Sequence, residues 1–121
     1  MKNENGLIVI ATKGIDHELS SVALVIACGA LTSGQSVSLF LTSAGVDIAR
    51  KKGASMTHVK PLDPLAEMLT DFQSRGGQIW ACPPCAIARG YDNGDLIDGV
   101  EIVGGAKLFN ALNNGARTIS L

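Results

Sequence analysis

Leu7-Ile8-Val9-Ile10-Ala11 is an unbroken apolar run of strand length, rich in β-branched residues. A run of this kind predicts a strand covered on both faces, as in a parallel sheet. After Thr12-Lys13-Gly14 the apolar positions change period. Leu19, Val22, Ala23, Ile26, Ala30 and Leu31 recur at three-to-four spacing until Gly34, which predicts a helix with Asp16 as its cap. Val37-Ser38-Leu39-Phe40-Leu41 reads as a second strand, closed by Thr42-Ser43-Ala44-Gly45, and Val46 to Lys52 as a short helix ended by Gly53.

Pro61 and Pro64 interrupt the chain before a helix from Leu65 to about Arg75, with Leu65, Met68, Leu69 and Phe72 on one face and Gly76-Gly77 as its stop. Gln78-Ile79-Trp80-Ala81 reads as a third strand and leads directly into Cys82-Pro83-Pro84-Cys85. Ala86 to Arg89 is a helical turn closed by Gly90. A polar, glycine-broken stretch then gives way to the short apolar run Val100 to Val103. A last helix from about Ala106 to Asn113, with Leu108, Phe109 and Leu112 inward, precedes a final strand over Arg117 to Leu121. Strands alternating with helices predict an α/β fold, a three-layer α/β/α sandwich with a mostly parallel sheet of about five strands and right-handed crossovers.

The 121 residues fit one domain, since domains usually run to ~100–200 residues. A chain of this size buries roughly two thirds of the surface it exposes when unfolded, so its core needs neither disulfides nor a structural metal. Ten Lys and Arg against eleven Asp and Glu give a formal charge of −1, without a basic block, and this removes the electrostatic footprint of nucleic-acid binding. Only 17% of residues are charged, against ~25% in typical soluble domains. Burial of apolar surface between subunits would account for that deficit. The polar start, Met1 to Gly6, shows no charged-then-apolar export pattern. The longest apolar run, Val22 to Leu31, is far short of the ~20 residues of a membrane span. A cytoplasmic location is expected, where a close cysteine pair points to catalysis, redox chemistry or metal binding rather than a permanent bridge.

In open α/β sheets reactive groups gather beyond the carboxyl ends of the strands, which nominates the loops at Thr12, Thr42 and Cys82. Only the last carries a strong nucleophile. A cysteine reacts as its thiolate, favoured at a helix N-terminus or beside a cation. Cys82 ends a strand and precedes a helical turn, and Arg89 follows Cys85 by four residues on the same helix face. Lys13 would add a further cation if its loop lies adjacent. A C-x-x-C is also half of a zinc site, but the other ligand candidates, His17, His58 and Cys28, are scattered and unpatterned. No metal site is therefore assigned. Cys28 falls within the apolar face of the first helix, where a free cysteine behaves as a small hydrophobe. Neither G-x-G-x-x-G nor G-x-x-x-x-G-K-[ST] occurs, so the usual nucleotide-phosphate motifs are absent.

Nearly the whole chain resembles the DsrE/DsrF-like family, which includes TusD-like sulfur-relay and YchN-like proteins. The resemblance rests on the opening strand with Thr12-Lys13-Gly14-Ile15-Asp16 and the helix running into Gly34, and on Leu39-Phe40-Leu41 followed by Gly45-Val46. Most specific is a strand-end cysteine with Arg-Gly at the seventh and eighth residues beyond it, here Cys82, Arg89 and Gly90. The resemblance implies a small α/β domain of the flavodoxin-like topology class that forms trimers or hexamers. It also implies sulfane sulfur carried as a persulfide on Cys82, with no cofactor, exchanged with sulfur donor and acceptor proteins or small thiols. Cys85 departs from the TusD-like pattern, which has a small non-thiol residue there. Two alternatives stay open: a thiol–disulfide or peroxide-linked redox protein with Cys82 attacking and Cys85 resolving, and a non-catalytic oligomeric scaffold.

Overall fold

A computed structural model describes residues 6–121; the polar start on which the export reading rests lies largely outside them. Five strands, β1 (Leu7–Ala11), β2 (Val37–Leu41), β3 (Gln78–Ala81), β4 (Val100–Ile102) and β5 (Arg117–Ser120), form one sheet in the order β4-β3-β2-β1-β5, with every neighbouring pair parallel. The helices are α1 (Glu18–Thr32), α2 (Leu65–Ser74), α3 (Pro83–Ala88) and α4 (Gly105–Asn113). From β1 to β4 the chain moves steadily across the sheet, then doubles back past β1 to place β5, so the order differs from the 2-1-3-4-5 of the flavodoxin-like class that the resemblance implies. Because parallel crossovers are right-handed, reversing the direction of travel puts α4 on the opposite face from α1 and α2. The three layers follow from that reversal.

Strand residues alternate between the two faces. Val9, Ala11, Leu39, Leu41, Ile79 and Ala81 join Ala23, Leu24 and Ala27 of α1 and Leu65, Met68, Leu69 and Phe72 of α2 in the main core. Ile8, Phe40 and Trp80 face the other way, under Leu108, Ala111 and Leu112 of α4. The close approach of Gly77 to α2 is a steric requirement, because a Cβ there would meet the Phe72 ring at 2.4 Å.

Five local expectations are corrected. The buried face of α1 is Ser20, Ser21, Ala23, Leu24 and Ala27, not the stripe Leu19, Val22, Ala23, Ile26, Ala30 and Leu31, of which only Ala23 is fully buried. The cap of α1 is His17, not Asp16: the helix begins at Glu18, and His17 Nδ1 accepts from the Leu19 N–H at 3.1 Å. The segment read as a helix over Val46 to Lys52 is a 3-10 helix over Ser43–Ala49. It stops at Arg50 because the chain there pairs with residues 95–97, through Lys51 N–H to Asp95 O and Ile97 N–H to Ala49 O, both 2.9 Å. The turn placed at Ala86 begins earlier, at Pro83, as the first turn of α3. Phe109, expected inward, is 61% exposed; it lies one residue, about 100°, off the Leu108-Ala111-Leu112 stripe that meets the sheet.

Candidate functional site

β3 leads into α3 on the main-core side, whereas β4 leads into α4 on the opposite side. Adjacent strands whose exits diverge in this way open a crevice at their carboxyl ends, the usual place for a site in a doubly wound sheet. Cys82 stands there. Its N–H donates to Leu41 O at 2.9 Å, and Val103 N–H donates to Ala81 O at 3.1 Å, so the sheet pairing fixes the cysteine from both sides.

Cys82 is the N-cap of α3 and Cys85 is its third residue. These two positions carry the facing side chains of a capping box, and here both are free, half-buried thiols. Pro83 and Pro84 between them contribute no N–H, and Cys82 makes no side-chain capping bond. The helix-end amides expected to stabilise the thiolate are thus largely removed by the prolines. The pair also straddles the sheet edge: Cys82 packs with Trp80 and Val103 on the α4 side, Cys85 with the main core.

The donors that reach sulfur come from the loop after β2 and converge on Cys85. Ser43 N–H donates to Cys85 Sγ at 3.1 Å, and Thr42 Oγ1 lies 3.5 Å from the same atom. The Thr42 hydroxyl is the strongest influence lowering the Cys85 pKa below the usual thiol value, opposed by partial burial and assisted by Ser43 N–H, the Cys82 thiol and, least, the Arg89 charge. To present its N–H, Ser43 adopts φ 53°, a left-handed conformation that costs a non-glycine residue about 1–3 kcal/mol when imposed by its surroundings. Gly45 holds that loop down. A Cβ at Gly45 would fall 2.1 Å from Ala11 O, so the loop rests on the end of β1 only because no side chain intervenes.

Arg89 lies where its spacing from Cys85 predicts, with Nη1 donating to Cys85 O at 3.2 Å. It is shared with Asp47, whose Oδ1 is 3.7 Å from Arg89 Nε and accepts from Tyr91 Oη at 2.6 Å. Burial and the Asp47 carboxylate push the Tyr91 pKa up. Asp47 therefore ties both ends of the post-α3 turn to the 3-10 helix. Lys13 is exposed on the β1 loop, and no hydrogen bond or ion pair links it to either thiol among the described residues. Cys28 packs against the main core with Sγ 3.6 Å from Met68 O, and burial raises its pKa. His17 caps α1, and His58 Nε2 lies 3.0 Å from Leu62 O. Among the described residues no three His, Cys, Asp or Glu side chains are grouped to hold a metal ion.

The sequence profile of the DsrE/DsrF-like family matches residues 5–121. The chain belongs to that family. Two similar proteins are uncharacterised: MK0008 of Methanopyrus kandleri, 35% identical over 95 residues covering 78% of this chain and 75% of the relative, and MJ0989 of Methanocaldococcus jannaschii, 30% identical over 95 residues covering 78% and 80%. Among solved structures, a protein of unknown function, MTH1491 of Methanobacterium thermoautotrophicum, superposes with a TM-score of 0.72 at 19% identity over 96% of this chain and 99% of its own. The ychN protein of E. coli gives 0.71 at 21% identity, with the same coverage. At that identity the likeness establishes the DsrE/DsrF-like α/β fold. No helix among the described residues is long and apolar enough to cross a membrane.

Proposed function

We propose that the protein accepts sulfane sulfur as a persulfide on Cys82 and passes it to an acceptor thiol. The observation that carries this reading is the thiol pair at the divergent end of β3, with the Cys85 sulfur drawing donors from the β2 loop. A Cys85 thiolate beside Cys82 can take its proton as the Cys82 sulfur attacks the outer sulfur of a donor persulfide. The donor S–S bond breaks and the donor leaves as a thiolate. Transfer onward repeats the exchange, with an acceptor thiolate attacking the outer sulfur and Cys82 as leaving group. Neither a metal nor an organic cofactor is required. Family membership and the Cys82, Arg89, Gly90 spacing support the assignment of Cys82.

The working form is a homo-oligomer, a trimer or hexamer, supported by the exposed apolar Phe109 on α4, Ile87 on α3 and Ile119 on β5 and by the low charge content. Intact mass after incubation with a sulfane donor tests the sulfur chemistry. One added sulfur is expected in Cys85→Ser and none in Cys82→Ser. Equal labelling of Cys82→Ser would overturn the assignment, and failure of both thiols to react would leave a scaffold.

A further inference from the structure

We propose that Cys85, held by Thr42 and the Ser43 N–H, discharges a Cys82 persulfide that no acceptor thiol has taken, so that the protein then releases sulfide and closes a Cys82–Cys85 disulfide. This inference rests on the reading of Cys82 as the sulfur-bearing residue. It adds a product and a co-substrate class: sulfide leaves, and a dithiol reductant reopens the pair for the next turnover.

Three features on different parts of the chain converge on it. The N-cap and third-residue positions of α3 bring the two thiols to the same helix end, close enough for the Cys82 thiol to act on Cys85. The β2 loop, more than forty residues away in sequence, aims a hydroxyl and an N–H at Cys85 and not at Cys82. The N–H is presented through a left-handed Ser43, a conformation retained at some energetic cost. The Cys85 thiolate that takes the Cys82 proton during loading is regenerated by losing that proton to solvent, and is then placed to attack the persulfide it helped to form. Pro83 and Pro84 offer no N–H to either sulfur, so the donors that reach Cys85 come chiefly from Thr42 and Ser43.

The step balances without an external oxidant. The Cys85 thiolate attacks the inner sulfur of Cys82–S–SH and forms the Sγ–Sγ bond. The bond between Cys82 Sγ and the outer sulfur breaks, and its electron pair leaves with hydrosulfide. The sulfane sulfur is reduced to sulfide as the two cysteine sulfurs are oxidised to a disulfide. Two thiols from the dithiol reductant then restore the pair by exchange.

Single-turnover loading with cysteine persulfide under anaerobic conditions, followed by sulfide release and intact mass, tests the proposal. The native chain is expected to release about one sulfide per chain and end as an intramolecular disulfide, whereas Cys85→Ser retains the added sulfur on Cys82. Thr42→Val should slow release about threefold near pH 7 and move the midpoint of the pH–rate profile up by about one unit, since a lost charge-assisted hydrogen bond lowers the thiolate fraction about tenfold and the rise in nucleophilicity returns part of it. Thr42→Ser should restore both. A merely structural role for Thr42 would lower yield or stability without moving the pH profile. Equal persulfide lifetimes in the native chain and Cys85→Ser, or an unmoved profile in Thr42→Val, would overturn the inference and leave the carrier reading standing. Absence of sulfur from Cys82 in Cys85→Ser would overturn the carrier reading, and the inference with it.

Discussion

The two faces of the sheet are built to different standards. On one, α1, α2 and the 3-10 helix enclose a core in which Leu24, Leu39, Leu41, Leu65 and Phe72 are sealed from solvent. On the other, α4 is the only helix among the described residues. The buried cluster there consists of Ile8, Phe40 and Trp80, no residue of α4 is buried, and β5 is exposed along its length. The contrast separates two jobs that a single hydrophobic pattern merges. The first face holds the fold together; the second is left with apolar surface that one helix cannot cover. The thiol pair sits on the boundary, with Cys85 rooted in the dense side and Cys82 leaning to the sparse one.

That contrast can be broken most severely at Phe72. Phe72→Ala removes a ring at the centre of the dense face and should cost about 3–5 kcal/mol, read from the denaturation midpoint; a loss under ~1 kcal/mol would mean that this face does not dominate stability. Tyr91→Phe probes the strap between the dense face and α3. Losing the bond to Asp47 should cost about 1 kcal/mol, and alkylation of the thiols followed against pH would show whether the strap also positions Cys85. Phe109→Ser sharpens the other side. An exposed ring contributes little to an isolated fold, so chain stability should change by no more than ~0.5 kcal/mol, while the mass in solution falls if a second copy covers α4. A large loss of stability with unchanged mass would place Phe109 in a role internal to the chain.

The dense face was legible from sequence where the signal is local and one-sided, in the continuous apolar strands and in the clean helical period of α2; α1 is apolar nearly all round, so its periodicity did not single out the face of Ala23, Leu24 and Ala27 that is buried. The sparse face was legible only in part. Leu108 and Leu112 point inward as the periodicity of α4 requires, but Phe109 follows geometry rather than hydrophobicity. The 3-10 helix stayed hidden because pairing with residues 95–97, far along the chain, stops it at Arg50. In the site, Cys82, Cys85 and the Arg89 spacing could be read directly. The contribution of Thr42 and Ser43 could not, because it depends on the parallel pairing of β2 with β3 and on a left-handed serine that no sequence signal marks. Asp47 was hidden for the same reason, its partners being more than forty residues distant.

Trp80 is the only tryptophan in the chain. The residue is 4% exposed, with Lys107 of α4 5.3 Å above its ring, and Cys82 follows it by two residues, just past the end of β3. The protein therefore carries a built-in optical probe at the junction of its sparse face and its thiol pair. Intrinsic emission reports selectively on whether α4 is seated, and formation of a nearby disulfide, an efficient quencher of indole, becomes visible without a label.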